Sequence, residues 1–390
     1  MPAFPHIPVQ RRSSRSARTG VVDVVVIGGG VVGAAAAWQL AGRDRDVVLL
    51  DQLETGRVRG VPYGSAEIYR QTYSSARYVR LAAEALPLWR EVEAQTGAAL
   101  LQITGGVDHG DPRGTRVLAE SLAKHGIAHE WLDPDEASAR WPGMVFSGPV
   151  LYQPDRTGRI HAGQAVAALT AAAVAHGAVV KRSTPATAIA VRGDDLVEVA
   201  TPRGPVRARR AVVAVGARTA ELLDGLVELP RLRVTQEQPT NFPLWGGAGS
   251  FPARQVAWPT FVHHVAPEDG WPGSVHGTAT AEGCVKLGFR GVGPEMHPDR
   301  PSFAPDPAQL RRLQEYVAAF LPGLDHRVPQ PLGCTRTSTP DERFVLDTAG
   351  PLVVGAGFSS HGFAFAPALG RVLADLSTGA MDRAPAAAAR

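Results

Sequence analysis

Val21-Val22-Asp23-Val24-Val25-Val26-Ile27-Gly28-Gly29-Gly30-Val31-Val32-Gly33 is the run that decides the fold. Its first seven residues, apolar and mostly β-branched apart from Asp23, predict a strand buried on both faces, as in a parallel sheet. The strand leads directly into Gly28-x-Gly30-x-x-Gly33, and the Ala-rich residues 34–41 then read as a helix. Each glycine has its own reason to be there. Gly28 makes the tight turn, Gly30 lets a pyrophosphate approach the backbone, and Gly33 lets helix and strand pack closely. A second strand, 46–50, ends at Asp51, 18 residues beyond Gly33, where a carboxylate is placed to hold a ribose hydroxyl. This order of elements predicts an α/β chain with a Rossmann-type dinucleotide-binding domain. The motif alone does not separate NAD from FAD.

Composition narrows the class. The 390-residue chain is 44% hydrophobic, enough for two cores, and has no apolar run near the ~20 residues needed to span a bilayer, so no membrane partner is expected. Formal net charge is +3, but Arg11, Arg12, Arg15 and Arg18 lie in an acid-free leader. Without them the body is about neutral, and nucleic-acid binding has no electrostatic support. Residues 1–20 mix Arg, Ser and Pro without an apolar segment and read as a disordered basic extension. Two cysteines, Cys284 and Cys334, give no disulfide framework, and a reducing cytoplasm is expected. Only Lys124, Lys181 and Lys286 are lysine among 40 cationic residues, which makes each of them informative.

Downstream, the chain reads as discontinuous. Residues 78–96 carry apolar side chains at helical spacing (Val79, Ala82, Ala83, Leu86, Trp89), 100–107 reads as the first strand of a second domain, and 113–125 as a helix. The acidic stretch Asp133-Pro134-Asp135-Glu136 fits a Pro-started helix with acids in its first turn better than a metal site. Residues 150–177, with 162–175 helical, read as a return to the first domain, followed by alternating stretches near Val197 and Val206 and a strand at 211–215. A strand at 285–289 and a helix at 307–320 interrupt the proline-rich loops that follow.

Near the C-terminus Cys334-Thr335-Arg336-Thr337-Ser338-Thr339-Pro340-Asp341 precedes the apolar strand 351–354 and then Gly355-Ala356-Gly357-Phe358-Ser359-Ser360-His361-Gly362-Phe363. A glycine-rich turn directly after a strand lets the backbone come close to a ligand, as only residues without Cβ can. The pairing closely resembles the covalent-flavin amine oxidases of the sarcosine oxidase and N-methyltryptophan oxidase family, within the D-amino-acid oxidase superfamily. The resemblance covers roughly residues 21 to 380. It implies FAD as the dinucleotide and an FAD-binding domain built from 21–88, 152–230 and 338–380. It also implies a second, α+β substrate domain on an antiparallel sheet, built from 89–151 and 231–337. The strand at 211–215 and the Gly355/Gly357 turn are then the returning strands of the FAD domain, residues 57–73 a flavin-contacting segment, and Gly357, Phe358, His361 and Gly362 flavin neighbours.

The same resemblance assigns chemistry to individual residues. Cys334, first in the Cys-x-x-Thr-x-Thr-Pro-Asp run, would bond the flavin 8α carbon, whereas Cys284 reads as a buried structural cysteine. Lys286, in Val285-Lys286-Leu287-Gly288-Phe289, matches the lysine that activates O2, because a compact ammonium stabilises superoxide-like charge; the plainer alternative is an edge-strand lysine. Arg70 matches a carboxylate-binding arginine, and Arg336, at a family tyrosine, matches a carboxylate-binding arginine of more distant amino-acid oxidases. Either could instead serve a structural ion pair. Three departures bear on the substrate. Glu67 replaces a family arginine, Arg290 a histidine and Ala364 a lysine, so sarcosine itself fits poorly. Glu67 and Arg290 are expected to pair with each other or with a polar substituent of the substrate. His361 is expected to contact flavin through its backbone and not to act as acid or base.

The resulting expectation is an FAD-dependent oxidase, covalent through Cys334, taking a small amine or amino acid and O2 and acting as a monomer. It would make an imine and H2O2 from a substrate bulkier than sarcosine. The same scaffold also supports a dehydrogenase or desaturase acting on a cyclic imino acid. A flavoprotein with only a binding role would have no need of Lys286 and Cys334.

Overall fold

A computed structural model of the chain describes residues 20–54, 66–245, 258–299 and 302–380. The basic leader up to residue 19 and positions 57–65 of the expected flavin-contacting segment lie outside the described residues.

Five parallel strands form the centre of the first sheet, in the order Val179–Lys181, Val47–Leu50, Val21–Ile27, Val206–Val213, Leu352–Ala356. Helices Val31–Ala41, Ala76–Thr96, Ala162–Ala175 and Ala366–Thr378 pack against one another over one face, with Val24, Val26 and Leu49 reaching into their core beside Trp89, Leu169 and Leu373. Val25, Ile27, Val48 and Leu50, the alternate residues of the same strands, point to the opposite core with Val213 and Leu352. Each such side chain contributes about 1.5–3 kcal/mol on burial, which is why the near-continuous apolar strand fixes the centre of the sheet. The expected 211–215 strand is longer at its start and shorter at its end. Residues Val206–Ala208 alternate because they border the antiparallel Leu196–Ala200 strand, and Ala211–Val213 are buried where Leu352–Ala356 becomes the neighbour.

The second sheet has eight strands, in the order Gln330–Pro331, Thr240–Pro243, Cys284–Phe289, Val275–Ala279, Thr260–His264, Gly106–Gly110, Val150–Gln153, Glu130–Leu132. All its neighbours are antiparallel except Thr260–His264 with Gly106–Gly110. Val285, Leu287 and Phe289 bury one face against Leu313, Tyr316 and Val317 of the helix Pro307–Phe320. Strand alternation then turns Lys286 to the opposite, inward face. Val150–Gln153, read from sequence as the start of the return, is still hydrogen-bonded into this sheet.

The single strand expected at 100–107 is two strands in two sheets. Leu101–Ile103 joins a three-stranded sheet with Gly158–His161 and Ala66–Tyr69, and Gly106–Gly110 enters the large one. The break falls at Gly105, whose φ of +74° and lack of a Cβ, which would lie 2.7 Å from the Tyr152 hydroxyl, let the chain change direction. The acidic stretch at Asp133 is a helix start: its carboxylate accepts from the Glu136 N–H at 2.8 Å and caps Pro134–Arg140.

Candidate active site

The dinucleotide cradle is set by backbone. A Cβ on Gly33 would lie 1.8 Å from the Gly28 carbonyl oxygen, and one on Gly28, where φ is +109°, would lie 2.3 Å from the Ala214 carbonyl oxygen. Both glycines are therefore required by the strand–helix packing itself. Gly30 differs: among the described residues nothing lies within 4 Å of its Cβ position, and it caps Val31–Ala41 without a side-chain partner. Open space at a helix N-terminus whose N–H groups face outward suits the pyrophosphate of FAD. Asp51 sits directly under this turn, because a Cβ on Gly29 would lie 2.4 Å from its carboxylate. The Asp51 carboxylate accepts from Leu53 N–H at 3.0 Å and Arg182 at 3.1 Å, and burial pushes its pKa up. These residues fit the cofactor: Gly30 gives room to its phosphates and Asp51 an acceptor for its ribose.

The inward face of the second sheet carries the polar groups. Asn241, Lys286 and Thr278 stand side by side across three strands. Lys286 is only 7% exposed and donates from Nζ to Glu67 at 2.5 Å. Asn241 Oδ1 and Thr278 Oγ1 on either side are buried without a hydrogen-bond partner among the described residues. A buried ammonium flanked by two unpaired acceptors is a place where a small polar or charged species is stabilised. Glu67 pairs with Lys286 and not, as expected, with Arg290. The reason is placement: strand Ala66–Tyr69 packs against Val275–Ala279, next to the Lys286 strand, whereas the Arg290 guanidinium reaches the Glu342 carboxylate.

Three arginines converge above this floor. Arg70 donates to Asp108 at 3.0 Å and lies 5.0 Å over the Tyr73 ring, while Asp108 also binds His264 at 2.7 Å. Arg290 and Arg336 share the Glu342 carboxylate. Their common field reaches His361 and His276. Burial, reinforced by Arg290, Arg70 and Arg336, holds His361 well below the usual histidine range, and burial with Lys286, Arg290 and Arg70 pushes His276 down to about 3. Both rings are neutral at pH 7. His361 also meets Tyr73 edge-on at 5.6 Å, and its N–H donates to the Phe358 carbonyl.

Two distant motifs meet at Cys334. The strand Cys334–Ser338 pairs antiparallel with Arg233–Glu237, opposite Glu237, so that Cys334 and Arg336 share one face. Cys334 is a free thiol whose pKa is pushed up to about 12, by burial first and then by Glu67, against the opposing pull of Lys286. The glycine turn is tied to this strand, since Ser359 N–H donates to the Thr337 carbonyl at 3.0 Å and Phe358 bridges Ser338. Gly357, at φ +65°, has no room for a Cβ beside Thr339, and Gly362 none beside Phe358. The non-glycine residues Ser359 and Ser360 also adopt positive φ, a strained turn that composition does not reveal. Ala364 is 3% exposed, and its carbonyl accepts from the Trp89 indole at 3.0 Å.

Sequence reasoning placed Lys286, Glu67, Arg70, Arg290, Arg336, Cys334 and His361 in one neighbourhood. It missed Asp108, His264, His276, Tyr73 and Glu342. Asp108 had a visible signal, an acid inside a short strand, but its partners lie more than 30 residues away and only the fold joins them.

A model of the family described as FAD dependent oxidoreductase matches residues 23–376. The chain is 28% identical to monomeric sarcosine oxidase of Bacillus sp. (strain NS-129), over 91% of this chain and 92% of that protein. It is also 28% identical to N-methyl-L-tryptophan oxidase of Yersinia pestis (strain Pestoides F), over 90% and 94%. The open form of NikD, an unusual amino acid oxidase essential for nikkomycin biosynthesis, superposes with a TM-score of 0.81 at 27% identity, covering 94% of this chain and 96% of that one. The resemblance and the α/β fold class read from the sequence are borne out. The chain belongs to the FAD dependent oxidoreductase family.

Proposed function

We propose that this protein oxidises the C–N bond of an amino acid or secondary amine to an imine, with the two electrons and two protons removed passing to O2 as H2O2. The observation that carries this reading is the meeting of Cys334 with the Lys286–Glu67 pair, while Lys286, Arg290 and Arg70 act together on His276 and Arg336 shares the Cys334 strand, all from segments far apart in the chain. FAD, bonded through Cys334, supplies the two-electron acceptor that no side chain provides.

The chain's own residues bind, orient and polarise. Gly30 with the helix behind it receives the pyrophosphate and Asp51 a ribose hydroxyl. Arg70, with Arg336 as second contact, holds the substrate carboxylate, and Lys286 supplies the positive charge for reduction of O2. His361 and His276, kept neutral, add no charge to the arginine field. Ala364 in place of a long cation favours a substrate bulkier than sarcosine, since each extra buried methylene is worth roughly 1–3 kcal/mol in discrimination. Residues 21–88, 152–230 and 338–380 serve as the FAD-binding domain and 89–151 with 231–337 as the substrate domain, in a cytoplasmic monomer.

A second reading, a dehydrogenase or desaturase acting on a cyclic imino acid, is favoured by one contact. Glu67 lies 2.5 Å from Lys286 Nζ and offsets the charge on which O2 reduction relies. The test is to incubate the holoenzyme with sarcosine, proline, pipecolate and aromatic N-methyl amino acids. O2 uptake matched by H2O2 supports the oxidase, imine formed only with an artificial acceptor supports the second reading, and the best rate on sarcosine removes the bulky-substrate inference. Acid precipitation should leave the yellow colour in the pellet for the native protein and in the supernatant for Cys334→Ser. Colour in the supernatant for both would refute the covalent bond.

A further inference from the structure

The Lys286 and Arg70 cations each face a single carboxylate, Glu67 and Asp108 respectively. Farther out the balance changes. Among the described residues, a cleft of about 640 Å³ is lined by Arg231, Arg233, Arg290 and Arg336 but by only two acids, Glu295 and Glu342. Glu295 is shared by Arg231 at 3.2 Å and Arg233 at 3.5 Å, and Glu342 by Arg290 and Arg336, so two cations are in excess.

Arg336 has a further unmet need. It is 6% exposed, its Nη1 reaches Ser338 Oγ at 3.4 Å and its Nη2 reaches Glu342, but its Nε is buried without a partner among the described residues. The Nε and Nη2 hydrogens point the same way and form one fork matched to the two oxygens of a carboxylate. Glu342 fills one prong only. It does so from a constrained position, with φ at +56°, its carbonyl accepting from Tyr78, and its side chain 48% exposed. The carboxylate is thus free to swing outward while its backbone stays fixed. Arg290 meanwhile is held below the usual arginine range by burial first, with Glu342 opposing and Arg70 and Arg336 adding repulsion, so that it needs a carboxylate beside it.

We infer that the substrate of this site carries a second anionic group, a carboxylate on its side chain. That group displaces the Glu342 carboxylate and is held between Arg290 and the full Nε–Nη2 fork of Arg336, which leaves Arg70, with only the Nη1 side of Arg336 as second contact, for the first carboxylate. The inference rests on the proposed amino-acid oxidation but names the substrate class within it: N-substituted dicarboxylic amino acids, over neutral ones of equal size.

The experiment compares N-methyl-L-glutamate with its uncharged isostere N-methyl-L-glutamine as substrates of the holoenzyme. In parallel, binding of glutarate and of its monoamide is measured by calorimetry, which needs no turnover. A charge-assisted fork predicts kcat/KM and affinity about 10-fold or more higher for the dicarboxylates. The preference should fall towards one in Arg290→Gln and Arg336→Gln, and glutarate should bind tighter to Glu342→Gln than to the native protein. Equal affinity for glutarate and its monoamide, or an unchanged preference in both arginine variants, would overturn the inference. If the neutral substrate is oxidised as well as the charged one, the proposed oxidation stands and the dicarboxylate class fails; if no amine reduces the flavin while glutarate is still preferred, the reverse holds.

Discussion

Around Gly33 the spacing is set by backbone atoms, with a Cβ position 1.8 Å from the Gly28 carbonyl, whereas Arg336 meets Glu342 through the tips of two long charged side chains. Gly33 admits no side chain, and the atom that excludes one belongs to the same short turn, Gly28. The charged region is assembled from six segments, carrying Glu67 and Arg70, Asp108, His264, Lys286 and Arg290, Arg336, and Glu342. Steric frames are local and rigid, while charged seats are non-local and adjustable by one exchange. On the proposed function, binding the cofactor and choosing a substrate are thereby separated within one molecule.

Breaking the frame should have the largest effect. Gly33→Ala places a methyl group against a backbone oxygen and should cost more than about 3 kcal/mol, read as a large fall in the denaturant midpoint or failure to fold. Gly30→Ala, with open space around its Cβ position, should change stability by less than about 0.5 kcal/mol yet lower FAD content. Equal stability of the two variants would remove the distinction drawn between these glycines.

At the charged floor, Lys286→Met should leave anaerobic reduction by substrate intact and slow reoxidation by O2 about 100- to 1000-fold. Glu67→Gln, which uncovers the Lys286 charge, should speed it. Unchanged reoxidation in both would take Lys286 out of the oxygen reaction.

The core behind the second sheet gives a pH signature of its own. His263 is stacked on His109 at 4.3 Å and bonded to the Tyr316 hydroxyl, and burial pushes its pKa down to about 4 from 6.5. The folded state therefore binds fewer protons than the unfolded one between these values. Stability should be full above pH 6.5 and fall as pH drops towards 4, by at most about 3 kcal/mol from this group. Urea midpoints at pH 7 and 4.5 check this, and His263→Gln should flatten the slope.

Arg70→Ala should weaken a carboxylate ligand by about 1.5–3 kcal/mol, whereas Arg70→Lys, keeping charge but losing the fork, should recover part of it. Unchanged affinity would leave Arg70 as the structural partner of Asp108.

What the sequence made legible follows the same division. Helices Ala162–Ala175 and Pro307–Phe320 and the glycine frame come from local patterns and stand where they were read. The strand at 100–107 misled because one apolar run crosses Gly105, and only the neighbouring Tyr152 shows that the chain must turn there. The pairing of Lys286 with Glu67, 219 residues away, has no local trace, and neither has the sharing of Glu342 by two arginines. Charged partners are chosen by the packing of sheets, which periodicity does not encode.

The central claim, oxidation of a C–N bond by a flavin held at Cys334 and Lys286, is tested most directly by the visible spectrum of the holoenzyme titrated with amino acids and secondary amines without air, then opened to it. The account predicts bleaching of the flavin band by at least one such substrate and its return with O2, with one H2O2 formed for each substrate oxidised. A band that no amine or amino acid bleaches would contradict it.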